Sequence, residues 1–223
     1  MPAALVTGAS SGIGRAIAAD LVAAGWDVSA VSRDPGRGAP AGTLPVACDL
    51  AHEEECVRAV AVHAERFGRL DLLVCAAGLY LRGAVAETTG EGWQRQMDVN
   101  ARAPLVLARE SIPLLVAARG QIAIVASLLG VEGGSAMAAY AASKHAAVGL
   151  VRSLNLELNG RGVRATAICP AFVATPMVEW STVPPEEMIQ PADVARVVRM
   201  LVELTPACVI EQLVVRRTSE VPL

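Results

Sequence analysis

Nowhere in this chain do two cysteines form a Cys-x-x-Cys pair. Cys48, Cys56, Cys75, Cys169 and Cys208 are scattered, and His52, His63 and His145 do not cluster with them. That pattern points away from a zinc site and from a disulfide framework, so all five thiols are expected to be reduced and structural. An excess of positive charge is also missing. Lys and Arg number 19 against 22 Asp and Glu, and a net charge of −3 gives no electrostatic case for nucleic acid or an anionic membrane surface. No basic run with interleaved aromatics occurs either. Apolar runs stay short of the roughly eighteen residues a membrane helix needs. The start, Met1-Pro2-Ala3, has no charged n-region leading into an apolar h-region, and no transit or lipidation signal stands out. A cytoplasmic location is expected.

What is present is core-forming material. Hydrophobic residues make up 53% of the 223 residues and charged ones 18%, enough to bury a large core. Neither an internal repeat nor a low-complexity linker interrupts the chain, so a single domain over 1–223 is expected. Strand-like runs at 3–6, 27–32, 44–48, 70–75, 121–126, 163–168 and 210–215 alternate with helical stretches. In 53–67, Val57, Val60, Ala61, Ala64 and Phe67 repeat on one face while Glu54, Glu55, Arg58 and Arg66 fall elsewhere, which predicts an amphipathic crossover helix. Strands that are apolar throughout imply a sheet covered on both faces. Right-handed crossovers then give an α/β fold, a doubly wound parallel sheet of about seven strands. Ligands of such sheets collect beyond the C-terminal strand ends, where Gly8, Asp49, Gly78, Ser127 and Pro170 fall.

The first strand runs into Thr7-Gly8-Ala9-Ser10-Ser11-Gly12-Ile13-Gly14 and then an alanine-rich stretch at 15–24. Gly8 permits a tight exit, Gly12 lets the backbone approach a pyrophosphate, and Gly14 lets the helix sit close to the sheet. The unpaired N–H groups of the helix start attract phosphate. The spacing Gly-x-x-x-Gly-x-Gly differs from Gly-x-Gly-x-x-Gly, yet the mechanics are the same. Farther on, Tyr140 and Lys144 stand one helical turn apart in Tyr-Ala-Ala-Ser-Lys, so both can face one pocket. A neighbouring ammonium stabilises a phenolate and brings the phenol toward the range where acid–base catalysis is fast. Such spacing alone also fits a packed Tyr beside a solvated Lys. The glycine turn tips the reading toward chemistry.

Taken together, these motifs resemble the short-chain dehydrogenase/reductase family, in order and over nearly the whole chain, from Thr7 to about Val215. By that resemblance 7–14 is the phosphate turn, with Gly8, Ser10, Ser11, Gly12, Ile13 and Gly14 at the cofactor. Asp49 and Leu50 match the position near adenine, and Cys75, Ala76, Ala77 and Gly78 match the Asn-Asn-Ala-Gly segment. Asn100, Ser127, Tyr140 and Lys144 match the catalytic tetrad, Ser127 preceding Tyr140 by the family's usual thirteen residues. Pro170, Ala171, Val173 and Thr175 fit the Pro-Gly-x-Val-x-Thr cofactor loop. The resemblance implies hydride transfer between a nicotinamide and a carbonyl or alcohol. Tyr140 would move the proton, Ser127 hold the oxygen, Lys144 lower the Tyr140 pKa and bind the nicotinamide ribose, and Asn100 anchor a water linking Lys144 to solvent.

Cofactor choice is read at the end of the second strand, Val31-Ser32-Arg33-Asp34-Pro35. A carboxylate there accepts from the ribose diol of NAD, whereas Arg pairs with the 2′-phosphate of NADP. Arg33 favours NADP(H), Ser32 leaves room for a phosphate, and Arg15 is a possible second cation, while Asp34 keeps NAD open. Cys75 and Ala76 replace the two asparagines of the family segment, Ala171 replaces a glycine, and the tail 214–219 lacks the usual Asp-Gly-Gly. The last departure favours a homo-oligomer built as a dimer through 100–118 and 140–159, with a tetramer as the alternative.

Leu79, Leu128, Leu129, Met137, Phe172, Met177 and Trp180 fall beside the motifs, which suggests a hydrophobic carbonyl substrate. Only a short flap separates Thr175 from Pro191, and it predicts an open, permissive site. Reduction of 3-oxoacyl groups on a carrier protein, or a non-catalytic NADP-binding sensor or scaffold, are the other readings.

Overall fold

The computed structural model describes residues 1–220; the last three residues of the expected domain lie outside the described ones. All seven expected strands form: β1 Ala3–Thr7, β2 Asp27–Ser32, β3 Leu44–Ala47, β4 Leu72–Cys75, β5 Gln121–Val125, β6 Arg164–Pro170 and β7 Gln212–Val215. They build one parallel sheet in the order β3-β2-β1-β4-β5-β6-β7. The α/β doubly wound architecture read from the sequence is the one observed. Every residue of β1, β4 and β5 is buried, as a sheet covered on both sides requires.

Six α-helices occur among the described residues: α1 Gly12–Ala23, α2 Glu53–Phe67, α3 Gly90–Met97, α4 Ala103–Ala118, α5 Ala138–Leu158 and α6 Pro191–Glu203. Side chains alternate across the pleat and divide the core. Ala4, Val6, Leu72 and Val74 pack with Ile17 and Leu21 of α1 and Val194 and Val198 of α6. Leu5, Leu73, Ile122 and Ile124 pack on the other side with α2, α4 and α5, through residues such as Val60, Leu107 and Val151.

The bounds of α2 agree with the sequence reading, but its buried stripe does not. Cys56, Ala59, Val60 and His63 face the core, and Ala61 is exposed. The helix is turned because His63 finds polar partners inside: Ser29 Oγ lies 2.8 Å from its Nδ1, and the Arg69 carbonyl 2.9 Å from its Nε2. A hydrogen-bonded imidazole can thus occupy a core position that hydrophobicity alone assigns to an alanine.

The chain winds outward from β1 through β2 to β3, then returns to β4 on the other side of β1, so the winding reverses between β1 and β4. A crevice opens at that point beyond the carboxyl strand ends. Thr7, opposite Cys75 in register, braces it: its Oγ1 accepts from the amides of Ala76 and Ala77, both at 3.1 Å.

Candidate active site

At the crevice the glycine turn is packed to its limit. A Cβ on Gly14 would lie 2.5 Å from the Gly8 carbonyl oxygen and 2.6 Å from that of Thr7, so only glycine lets α1 start this close to the sheet. Gly8, at φ +68°, would place a Cβ 2.9 Å from the Ala77 backbone. The first turn of α1 carries no acidic residue, and Ser11 at its start makes no side-chain capping bond, so its amides face the crevice unclaimed.

Two adjoining cavities fill the crevice. One, of about 250 Å³, is lined by Gly8, Ser10, Ser11, Gly12, Ile13, Gly14, Ser32, Arg33, Asp49, Leu50, Ala76, Ala77 and Gly78, among others. The second, about 320 Å³, is lined by Ser127, Tyr140 and Lys144 together with Pro170, Ala171, Val173 and Thr175. Ile13, Ala76, Gly78, Thr175 and Met177 belong to both, so the two form one trough.

A nicotinamide dinucleotide suits this trough. The glycine cradle leaves backbone amides bare, and the buried Ser32 hydroxyl at the tip of β2 has no hydrogen-bond partner among the described residues. Of the residues expected at the cofactor, Cys75 is not on the trough wall. It points into the α2–α4 core, 3% exposed, where burial pushes its thiol up to about 12. Leu79 lines the cofactor side and not the apolar cavity where it was expected. Arg15, the suggested second cation, is turned to the Gly38 carbonyl at 3.1 Å. Asp49 spends its Oδ1 on the amide of Ala51 at 3.0 Å, closing its own turn.

The four residues of the expected tetrad converge. Ser127 follows β5 and receives the Leu129 amide at 3.1 Å, which fixes its hydroxyl at the cavity wall. It shares that wall with Tyr140, the third residue of α5. Lys144, one turn later, is 3% exposed; its Nζ donates to the Val125 carbonyl at 2.9 Å and lies 5.7 Å from the centre of the Tyr140 ring. Asn100 sits in a π-helical turn, Asp98–Arg102, between α3 and α4. Its side chain accepts from the Leu79 amide and donates to the Leu79 carbonyl, both at 2.8 Å, and donates to Ser143 Oγ at 2.9 Å. Ser143 in turn donates to the Tyr140 carbonyl at 2.7 Å, so Asn100 ties the segment after β4 to the helix carrying Tyr140 and Lys144.

One expectation is reversed. Tyr140 is not brought toward neutrality: burial pushes its phenol up to about 12, against a lowering by the nearby Ser127 side chain. Lys144 is the group drawn toward neutral, down to about 8, because its ammonium is fully buried. The sequence reading also missed Tyr80, whose ring meets that of Tyr140 edge-on with centroids 5.1 Å apart. Its one signal is its place two residues after Gly78, since no motif covers it.

A parallel sheet with a crevice where the winding reverses, a glycine-lined turn and a Ser–Tyr–Lys cluster whose Tyr and Lys are buried together define a Rossmann-type oxidoreductase. The short chain dehydrogenase family matches residues 2–183. A putative ketoacyl reductase of the granaticin polyketide synthase from Streptomyces violaceoruber is 38% identical over 193 residues, covering 80% of this chain and 70% of that protein. Among solved structures, an alcohol dehydrogenase from the archaeon Thermococcus sibiricus, complexed with 5-hydroxy-NADP, superposes with a TM-score of 0.91 at 25% identity, covering 100% of this chain and 99% of that one. A 3-ketoacyl-(acyl-carrier-protein) reductase from Brucella melitensis, complexed with NADH, gives 0.88 at 26% identity and 96% coverage of both chains. The chain belongs to the short-chain dehydrogenase family. It is an oxidoreductase that interconverts carbonyl and alcohol groups. Among the described residues no helix is long and apolar enough to cross a membrane.

Proposed function

We propose that the protein is an NADP(H)-dependent reductase of hydrophobic ketones and aldehydes, with Tyr140 as the general acid and base. The observation that carries this reading is the convergence of Ser127, Tyr140 and Lys144 in the wall of an apolar cavity adjoining the glycine turn. Held near about 12, the Tyr140 phenol keeps its proton at neutral pH, which is the form that a carbonyl undergoing reduction needs. Ser127 donates to the substrate oxygen and stabilises its growing negative charge. Lys144, charged below about pH 8, offsets the phenolate left when the proton departs. Asn100 acts as a positioning residue, fixing the start of α5 through Ser143. When bound, the nicotinamide supplies the hydride to the carbonyl carbon. In the oxidative direction Tyr140 returns as phenolate and accepts the alcohol proton.

The preference for NADP rests on the tip of β2. Among the described residues Arg33 lines the trough with no carboxylate partner and Ser32 beside it has an unpaired hydroxyl, while Asp34 is exposed and off the trough wall. Guanidinium suits a 2′-phosphate and has nothing to accept from a ribose diol. The dimer through α4 and α5 is supported by Leu105 and Leu156, 49% and 89% exposed on those helices. Four buried thiols with no disulfide suit a reducing cytoplasm. A 3-oxoacyl group on a carrier is the second reading, favoured by what the Streptomyces violaceoruber relative is called.

The test is loss of NADPH absorbance with the purified enzyme against ketones, quinones and a 3-oxoacyl thioester, alongside NADPH and NADH binding titrations. Turnover of apolar ketones with tighter NADPH binding supports the reading. Tight NADPH binding with no oxidation across the panel would favour a sensor or scaffold.

A further inference from the structure

The chain has seven aromatic residues of the Phe, Tyr and Trp type, and four of them, Tyr80, Tyr140, Phe172 and Trp180, line the apolar cavity that holds Ser127 and Lys144. Resting on the reductase reading, we infer that this cavity selects ketones fused to or carried on an aromatic ring, with Tyr80 and Trp180 as the specificity-determining residues.

Their arrangement is that of a built wall. Tyr80 and Trp180 stack with centroids 5.6 Å apart and planes at 22°, Phe172 meets Trp180 at 6.0 Å and 65°, and Tyr80 meets Tyr140 nearly at right angles. Stacked and edge-on pairs in this distance range are the geometries the ring quadrupole favours. A guanidinium lies over each outer ring. The Arg82 guanidinium lies 5.1 Å from the centre of Trp180, and that of Arg217 lies 5.6 Å from the centre of Phe172. The Trp180 indole N–H donates to the Met177 carbonyl at 3.0 Å, which fixes the orientation of its plane.

Two features separate this wall from ordinary packing. Trp180 is 43% exposed at the cavity mouth, so its ring was not placed there to complete the core. The Tyr80 hydroxyl is shielded from solvent yet unpaired among the described residues, a cost that a phenylalanine would avoid. Leu128, Leu129 and Met137 add further apolar side chains to the lining. A flat ring entering beside Tyr80 and Trp180 extends an aromatic stack already in place, and its ketone reaches Ser127 and Tyr140 at the inner end. A saturated ring of the same carbon count buries comparable area without stacking.

The experiment compares 2-tetralone with 2-decalone, which share a ten-carbon bicyclic skeleton and an unconjugated ketone, and with the open-chain 2-decanone, using NADPH and the intact protein. Wild type is expected to give the highest kcat/KM with 2-tetralone. Trp180→Leu and Tyr80→Leu should each lower the tetralone-to-decalone ratio by about tenfold, the upper end of what ring stacking contributes. Trp93→Leu, which removes a tryptophan outside the cavity, should leave the ratio unchanged. NADPH affinity and melting temperature, measured on each variant, establish that the fold is intact. A wild-type preference for 2-decalone or 2-decanone, or a ratio that survives both cavity variants, overturns the inference while leaving the reductase reading in place. Reduction of none of the three ketones with NADPH bound contradicts the reductase reading and this inference with it.

Discussion

The Lys144 ammonium donates to the Val125 carbonyl at 2.9 Å, so the buried charge nearest Tyr140 is anchored to the end of β5 and not to another side chain. Burial lowers the lysine to about 8 from 10.5, so between those values the unfolded chain binds more protons than the folded one. Stability then rises with pH across that window, and below it the full cost of burying the charge is present. Lys144→Met should therefore stabilise the fold by on the order of 1–3 kcal/mol near pH 7, part of the gain being offset by the unpaired carbonyl. The gain should shrink toward about pH 10. Urea unfolding at the two pH values checks this, and a variant that is less stable at pH 7 would contradict it.

His63 acts with the same sign in a lower pH window. Burial holds its imidazole below 6.5, between Ser29 and the Arg69 carbonyl, so the folded chain keeps it neutral while the unfolded chain protonates it. Its contribution to stability is complete above pH 6.5 and is lost as the pH falls from there through the folded value. His63→Gln, which retains a donor and an acceptor, should flatten the acid limb of the stability curve. An unchanged slope between about pH 7 and about pH 5 would show that other groups govern acid unfolding.

Much of this was legible before any coordinates, for local reasons. Ala3 to Thr7 reads as a strand and Gly14 as a glycine contact because each depends on near neighbours in sequence. What escaped depends on tertiary packing. No pattern along the chain indicates that Lys144 ends on the Val125 carbonyl, that Cys75 turns into the α2–α4 core, or that Asp49 closes its own turn. The stripe on α2 was misread because hydrophobicity ranks Ala61 above His63, while Ser29, far away in sequence, makes the histidine the better core residue. Tyr80 lies in an irregular segment where neither helical nor strand period applies, and its role becomes visible only with Trp180 stacked on it.

Gly14→Ala should be disabling. The added methyl would press on the carbonyl oxygens of Gly8 and Thr7, at 2.5 and 2.6 Å, one at the last residue of β1 and the other in the turn directly after it. A loss of about 2 kcal/mol or more is expected, with cofactor binding abolished. Gly83→Ala, with nothing within 4 Å, should be silent in the same melting and titration experiments. Equal behaviour of the two variants would remove the packing argument for the turn.

Arg33→Ala should weaken NADPH binding by about 10- to 100-fold, the value of a charge-assisted hydrogen bond, and leave NADH binding within about twofold. Asp34→Ala should alter neither, since that carboxylate lies off the trough wall. Fluorescence titration with both nucleotides decides the matter. Loss of NADH affinity in Asp34→Ala would reassign the cofactor.

The most direct test of the account is Tyr140→Phe, which removes one oxygen from a ring that stays packed against Tyr80. NADPH affinity should stay within about threefold of wild type, while ketone-dependent NADPH oxidation falls by about a hundred- to ten-thousand-fold, the range for loss of a positioned acid. A variant that binds NADPH normally and reduces ketones at the wild-type rate would contradict the assignment of Tyr140 as proton donor.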